Sequence, residues 1–189
     1  MISGRLLFKK TKFIVKVASL PFYLLPESSI VFLWDSTSRH SQLPFIGLRY
    51  LMLKRMCVQC GDNVRIGANV RILNWHGLKI GNNVSVHDNC YLDASGGISI
   101  GNNVSIAHAS SILSFEHTWD DSDIPIKYNP IKSSQVKICD DVWIGCGVRV
   151  LSGVKLKSRS IVAAGAVLTK CFDSNVIVAG VPAKVVKNI

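Results

Sequence analysis

Aliphatic residues recur about every six positions through most of the chain after residue 57. Two residues before most of them stands a second, smaller or β-branched residue, such as Val84, Cys90 or Ser110. Side chains at i and i+2 lie on one face of a strand, so each six-residue unit predicts one short strand followed by a corner. The recurring positions are Ile66, Ile72, Ile80, Val86, Leu92, Ile100, Ile106, Ile112, Ile138, Ile144, Val150, Leu156, Val162, Leu168 and Val178.

The corners between these units contain residues that favour left-handed backbone, as in Gly81-Asn82-Asn83 and Gly101-Asn102-Asn103. Six residues per side and about eighteen per coil predict a triangular β-solenoid whose coils bury their inward residues against one another. Extra residues follow Ile72, Leu92, Ile112 and Leu168, and counting three sides per coil places all four insertions on one edge. We expect that edge, and above all the loop of about 115–135, to carry the chemistry.

Composition changes at residue 57. Eight of the fifteen aromatic residues lie before it, and residues 1–56 carry nine Lys or Arg against two Asp or Glu, which accounts for +7 of the net charge of +10. The remaining +3 is spread over the repeat, so the charge gives little support to nucleic-acid binding. We therefore predict two parts, an N-terminal segment at 1–56 and a β-solenoid at 57–189.

The N-terminal segment is rich in leucine, aromatic and basic residues, and two structures suit it. It could form helices at a membrane surface, with lysines such as Lys9, Lys10, Lys12 and Lys16 near anionic headgroups. It could also form a helical cap over the open end of the solenoid. Pro21, Pro26 and Glu27 interrupt its apolar run, which fits neither a spanning helix nor an export signal. We expect a cytoplasmic protein, peripheral to the membrane at most, with reduced cysteines.

Five short motifs occur in a fixed order along residues 57–189. With them the segment resembles the hexapeptide-repeat acyltransferases, in particular the galactoside- and maltose-type acetyltransferases and the O-acetyltransferases of capsule and O-antigen synthesis. That resemblance implies an all-β, left-handed parallel β-helix, a homotrimer with active sites between subunits, and acetyl-CoA as acyl donor without a metal. The motifs are Ser114-Phe-Glu-His117, Asp141-Val-Trp-Ile-Gly145, Ala163-Ala-Gly-Ala166, Thr169-Lys170 and Ala179-Gly-Val-Pro-Ala183.

His117 is the strongest catalytic candidate. It stands where the repeat is interrupted, and imidazole can remove a hydroxyl proton near neutral pH as the oxygen attacks a thioester. It also matches the catalytic base of the family. No Gly-x-Ser-x-Gly motif or Cys/His pairing of familiar spacing suggests a covalent acyl-enzyme, so direct transfer is the simpler mechanism. By resemblance, the backbone N–H of Cys146 would stabilise the oxyanion.

The remaining site residues follow from the same resemblance. Trp143 is predicted to point outward, where it would contact either the donor or a neighbouring subunit. Asn89 and Asp93 are predicted near the edge of the long loop, where they would bind a sugar or glycan acceptor. The positions that match the family's coenzyme A site are Ala164, Gly165, Thr169, Lys170, Lys184 and Lys187.

Two patterns are weaker. Cys57-Val-Gln-Cys60 has the spacing of metal ligands without a second pair, and Asp120, Asp121 and Asp123 resemble a solvated loop more than a metal site.

The lead hypothesis is an acetyl-CoA-dependent O-acetyltransferase acting on a sugar hydroxyl in the synthesis of a bacterial surface polysaccharide. An N-acetyltransferase for a nucleotide-linked amino sugar or a small antibiotic is the nearest rival, and a non-catalytic β-solenoid is the third reading. The spacing of His87, His108 and His117 does not match the zinc site of a γ-type carbonic anhydrase.

Overall fold

The computed structural model describes residues 13–15 and 17–189 of the chain. The lysines predicted to face a membrane, Lys9, Lys10, Lys12 and Lys16, lie outside the described residues. Residues 13–15 and 17–19 are helical, and a 3₁₀ helix at Leu20–Leu24, helix α1 at Glu27–Thr37 and helix α2 at Leu43–Met56 follow. No described helix combines the length and apolar character needed to cross a bilayer.

The described residues after α2 form five full coils and the start of a sixth. The strands of the first three coils are β1 (Gln59–Cys60), β2 (Arg65–Ile66), β3 (Arg71–Leu73), β4 (Leu78–Ile80), β5 (Ser85–Val86), β6 (Tyr91–Asp93), β7 (Ile98–Ile100), β8 (Val104–Ile106) and β9 (Ser111–Leu113). A hairpin of β10 (Phe115–His117) and β11 (Ile131–Ser133) then leaves the solenoid. The later strands are β12 (Val136–Ile138), β13 (Val142–Ile144), β14 (Arg149–Val150), β15 (Lys155–Leu156), β16 (Ser160–Val162), β17 (Val167–Leu168), β18 (Val176–Ala179) and β19 (Lys184–Asn188).

The coils stack into three parallel sheets, which are the faces of a triangular prism. Face A has the order β1-β4-β7-β12-β15, and face C has the order β3-β6-β9-β14-β17. Face B runs β2-β5-β8-β13-β16-β18, and β19 folds back antiparallel to complete it.

The periodic aliphatic positions form the core of the prism. All fifteen are at most 4% exposed, so the prediction of an inward series is confirmed. The smaller residues two places earlier are buried too, including Cys90 and Ser110. Burying one such aliphatic side chain is worth about 1.5–3 kcal/mol, so the stacked series dominates the stability of the prism.

The asparagines of the corners stack between faces A and B. Asn63, Asn83 and Asn103 all have a positive φ near 55°, the left-handed conformation predicted for them. Asn63 Nδ2 donates to Asn83 Oδ1 at 3.0 Å, and Asn83 Nδ2 donates to Asn103 Oδ1 at 3.1 Å. The recurring asparagine thus serves both the turn and a side-chain ladder along the edge.

Three of the four predicted insertions lie on one edge, between faces C and A, which we call the loop edge. They connect β3 to β4, β6 to β7, and β9 to β12 through the hairpin. The prediction of a fourth insertion after Leu168 is wrong. Phe172 is buried and forms a parallel bridge with Leu156 of face A, so a shortened side replaces the expected extra loop.

Helices α1 and α2, which we call the cap, cover the first coil. They donate a side-chain hydrogen bond to one carbonyl in or beside each of its three strands. Tyr50 Oη donates to Gly61 O at 2.9 Å, Arg49 Nε donates to Ile66 O at 3.0 Å, and Trp34 Nε1 donates to Val70 O at 3.0 Å. Carbonyls of a terminal strand would otherwise lack partners, since no coil precedes them.

Candidate active site

The long loop is built on an antiparallel hairpin that projects from the loop edge. Phe115 pairs with Ser133, Glu116 with Lys132, and His117 with Ile131. Thr118 continues the hairpin, because its N–H and its hydroxyl both donate to Pro130 O, at 3.0 and 2.8 Å. His117 is therefore an exposed side chain on a paired strand rather than on a free loop.

Two buried polar side chains hold the hairpin in place. Ser114 Oγ donates to Asp93 O at 2.7 Å and accepts from Gly96 N at 2.8 Å, which ties the base of the hairpin to the coil below. Asn129 accepts from Asp121 N at 3.0 Å and donates to Asp121 O at 3.1 Å, closing the tip. These bonds fix the position from which His117 projects.

Three further predicted residues share the loop edge with His117. Thr169 and Lys170 follow β17 in the fifth coil and are exposed. Asp93 ends β6 in the second coil but is buried, and its Oδ1 accepts from Asn74 Nδ2 at 2.7 Å and from Ser95 N at 3.1 Å. Asp93 thus has a structural partner on each side, and acceptor binding by it stays a prediction.

A second group of predicted residues lies between faces B and C, on what we call the B–C edge. Cys146 occupies this corner in the fourth coil, and Ala164 and Gly165 occupy it in the fifth, where Gly165 N donates to Cys146 O at 2.8 Å. The corners approach closely, because a Cβ at Gly145 would lie 2.7 Å from Ala164 N. Only glycine fits there. Among the described residues, no acceptor pairs with the Cys146 N–H.

Trp143 and the two terminal lysines line face B. Trp143 points outward as predicted, with 54% of its side chain exposed. Strand pairing aligns it with Ile161, then Ile177, then Lys187 of β19, and Lys184 pairs with Ala179 beside them. Three strand spacings separate Trp143 from Lys187, about 14 Å.

A groove of about 310 Å³ opens beside Trp143, on the side of face B that borders face A. Trp143 and Ile161 form its apolar wall, and Arg159, whose Nη1 lies 3.3 Å from Asp141 Oδ2, forms its polar end. The C-terminal Ile189 also lines it.

The structure therefore divides the predicted site residues into two groups on opposite sides of face C. The loop edge holds His117, Asp93, Thr169 and Lys170, whereas the B–C edge and face B hold Cys146, Trp143, Ala164, Gly165, Lys184 and Lys187. Asn89 was expected beside the long loop, and that placement is wrong. It lies in the second-coil corner of the B–C edge, because it connects β5 of face B to β6 of face C.

Sequence reasoning missed several residues of this region. Asn129 organises the hairpin tip although nothing in its local sequence marks it. Trp119 and Tyr128 are about 70% exposed on the same tip. Neither residue fits the six-residue repeat, and that misfit is the sequence signal that could have identified them. Arg159 of the face B groove was missed for another reason, because it takes the corner position that asparagine holds in earlier coils, with a φ of 55°.

The Cys57–Cys60 pair and the aspartates of the hairpin tip, the two weak metal-site patterns of the sequence, both have local structural surroundings. Burial raises the pKa of the Cys60 thiol to about 12 and that of Cys57 further still. Asp121 Oδ1 accepts from Asp123 N at 2.9 Å within the hairpin tip. Within the described part of the chain, no three His, Cys, Asp or Glu side chains are grouped as metal ligands would be.

The repeat is matched by two family models. Residues 135–170 match the bacterial transferase hexapeptide (six repeats), and residues 58–94 match the hexapeptide repeat of succinyl-transferase. A galactoside acetyltransferase solved in complex with coenzyme A superimposes with a TM-score of 0.75 and 25% identity, over 90% of this chain and 82% of that one. The fold is thus the left-handed parallel β-helix that the resemblance implied.

Two curated relatives match shorter segments. A probable acetyltransferase of Mycobacterium tuberculosis is 40% identical over 77 residues, which are 41% of this chain and 26% of that protein. A 2,3,4,5-tetrahydropyridine-2,6-dicarboxylate N-acetyltransferase of Staphylococcus aureus is 47% identical over 58 residues, which are 31% of this chain and 24% of that protein. The matched segments span about a quarter of each relative.

The repeat, the prism and its corner glycines define a hexapeptide-repeat β-helix. Two segments of the chain match models of the hexapeptide repeat, and the prism shares its fold with the galactoside acetyltransferase.

Proposed function

We propose that this chain transfers the acetyl group of acetyl-CoA to a sugar hydroxyl, in the synthesis of a surface polysaccharide such as capsule, O-antigen or exopolysaccharide. The observation that carries the proposal is the hairpin that holds an exposed His117 away from the prism. A rigid support of this kind suits a general base, which must meet both the acceptor hydroxyl and the thioester.

The donor would lie along the stripe from Lys187 to the B–C edge. Lys184 and Lys187 would bind the phosphates of coenzyme A as point charges. Its pantetheine arm would run past Ile177, Ile161 and Trp143, and the small corner residues Ala164 and Gly165 would let it approach the backbone. The thioester would then reach Cys146.

In the transfer itself, His117 takes the hydroxyl proton as the acceptor oxygen attacks the thioester carbonyl carbon. The Cys146 N–H stabilises the negative charge on the carbonyl oxygen. The C–S bond then breaks, and the protonated imidazole returns the proton to the thiolate. The products are an acetyl ester and free coenzyme A, so no covalent enzyme intermediate is needed.

This mechanism requires two copies of the chain at each site. His117 and Cys146 lie on different edges of one prism, with face C between them, yet both must contact the same reacting atoms. Three prisms around a three-fold axis would place the loop edge of one beside the B–C edge of the next. We therefore propose a homotrimer whose sites combine His117 of one chain with Cys146, Trp143 and Asn89 of its neighbour.

Calorimetric titration with acetyl-CoA tests the donor without a choice of acceptor. We expect micromolar binding at one site per chain. Well-folded protein that binds no acetyl-CoA would overturn the proposal and favour another acyl donor or a non-catalytic solenoid.

The N-acetyltransferase alternative rests on the relative from Staphylococcus aureus, whose donor chemistry would be the same. The product distinguishes the two reactions, because hydroxylamine cleaves an acetyl ester and leaves an acetyl amide intact. Thiol release from acetyl-CoA with a panel of neutral sugars and amino sugars, followed by hydroxylamine treatment, assigns the reaction.

A further inference from the structure

The helical residues at 13–15 and 17–24 are apolar on two sides. Val15 and Phe22 pack against the hydrophobic core, as does Leu25 just after it. On the other side, Phe13 and Leu24 are exposed by 77% and 87%, although a helix on the surface of a protein normally presents polar residues there.

Six exposed apolar side chains are concentrated within one short stretch of the chain. The six are Phe13, Ile14, Val17, Leu20, Tyr23 and Leu24, each at least 49% exposed. Phe32 on α1 and Leu43 at the start of α2 add two more exposed side chains, at 70% and 79%. Apolar patches of this kind on a folded protein mark contact with a partner or a membrane. We call this set the apolar patch.

Charge indicates which partner covers the apolar patch. Lys9, Lys10, Lys12 and Lys16 precede or interrupt it in the sequence, with no acidic residue before Glu27. Apolar and aromatic side chains combined with flanking lysines suit the interface of an anionic bilayer, where the side chains enter the headgroup region and the lysines meet lipid phosphates.

We propose that the apolar patch docks the prism, by its capped end, on the surface of a membrane that contains anionic lipid. This proposal does not depend on acetyl transfer, since it concerns the opposite side of the helices from the prism. Docking would place the exposed side of the N-terminal helices on the bilayer and leave faces A, B and C of the prism in water.

Vesicle flotation with the full chain tests the proposal. We expect the protein to float with vesicles of phosphatidylcholine that contain about 30 mol% phosphatidylglycerol, and to float far less with phosphatidylcholine alone. Raising the salt from about 0.1 M to about 0.5 M should weaken the binding, because it screens the lysines.

A pair of variants separates the patch from general stickiness. Leu20→Gln with Leu24→Gln should lower the partition onto anionic vesicles about tenfold or more, because two apolar anchors are removed. Val185→Gln with Val186→Gln changes two exposed residues of β19 at the other end of the prism and should leave the partition unchanged. Thermal melting verifies that both variants are folded.

Two results would overturn the proposal. One is equal flotation of the patch variant and the wild-type chain. The other is a lipid-free oligomer, seen by analytical ultracentrifugation, that the patch substitutions dissociate, because a second copy would then be the natural occupant. Acetyl-CoA titration without vesicles tests the proposed enzyme separately, so failure of one proposal leaves the other standing.

Discussion

At the scale of single residues, His117 is the position where geometry and chemistry agree most closely. Its strand is paired on one side by β11, and Ser114 ties that strand to the coil below. The backbone that carries the imidazole therefore needs little ordering when an acceptor binds, so the contribution of His117 to the rate would come mainly from proton transfer.

Replacing His117 with alanine should lower the turnover number about 10²- to 10⁴-fold while leaving acetyl-CoA affinity nearly unchanged. Steady-state kinetics and calorimetric titration measure the two quantities. His76→Ala is the matched control, since His76 is also exposed but pairs with Glu27 at 3.1 Å near the cap. A variant that loses donor binding together with turnover would contradict a role as general base.

The half-buried thiols of Cys57 and Cys60 give a second prediction at this scale. Burial raises the pKa of Cys60 from 9.0 to about 12, so the folded state keeps the proton that the unfolded state loses. Cys171 is exposed and should react with iodoacetamide first, whereas Cys57 and Cys60, which are half-buried and have raised thiol pKa values, should react much more slowly in the folded chain. Mass spectrometry of the labelled peptides distinguishes these cysteines.

The same shift has a consequence for stability. A raised thiol pKa stabilises the fold fully below the unfolded value near 9 and loses that contribution as the pH rises toward 12. Urea unfolding between pH 8 and pH 10 should therefore show falling stability, and a Cys60→Ala variant should show a smaller fall. An equal fall in both chains would assign the effect to other groups.

At the scale of elements, the cap depends on one buried cation. Arg49 is fully buried, and burial lowers the pKa of its guanidinium, which nearby Asp88 partly opposes. Besides Ile66 O it donates to His40 O at 2.9 Å and to Thr37 O at 3.3 Å, so it joins both helices to the first coil.

We expect Arg49→Met to destabilise the chain by about 2–4 kcal/mol, since three carbonyls would lose a charged donor. Urea unfolding followed by circular dichroism measures the change. Arg39→Met, at an exposed arginine, should stay within about 0.5 kcal/mol of the wild type. Equal stability of the two variants would show that the cap does not depend on Arg49.

The coils and their corners could be predicted because each depends on residues close in sequence. A six-residue period specifies the inward series, and asparagine or glycine specifies the corner. The hairpin could not be predicted, because β10 and β11 are three residues long and largely exposed, with no alternation to mark them. The cap contacts of Arg49 and Trp34 could not be predicted either, since their partners depend on how the helices dock.

The candidate site was predicted as a set of residues but not as an arrangement. Counting sides placed Asp93 near the edge of the hairpin correctly, whereas Thr169 and Lys170 were assigned to the donor site by resemblance alone and lie on the hairpin edge. The same counting assigns Asn89 to the B–C edge, one corner before the hairpin edge. At the C-terminal end, the count of sides was wrong because the short side at Phe172 was read as an insertion.

At the scale of the whole molecule, the division of the site between two edges makes a prediction about assembly. Light scattering after size exclusion should give three chains per particle. A stable monomer that turns over acetyl-CoA would contradict a site built from two chains.

Mixing two inactive variants tests the shared site more directly. His117→Ala disables the loop edge, and Ala164→Trp blocks the B–C edge with a bulky side chain. If each site takes one edge from each of two neighbours, a randomly reassembled equal mixture should recover about a quarter of the wild-type activity. Separate reassembly of either variant alone is the control, and a mixture as inactive as its components would place the whole site in one chain.

The covered ends of the prism also decide how copies of it can meet. At the first coil, Tyr50, Arg49 and Trp34 occupy carbonyls that a further coil would need, and at the last coil, Phe172 and the returning β19 occupy the opposite side. A solenoid with bare ends could stack on itself without limit, as fibres of parallel strands do. The covered ends disfavour axial growth, so the copies of the proposed trimer would meet on the flanks, where a rotation can close on itself and the number of chains stays finite.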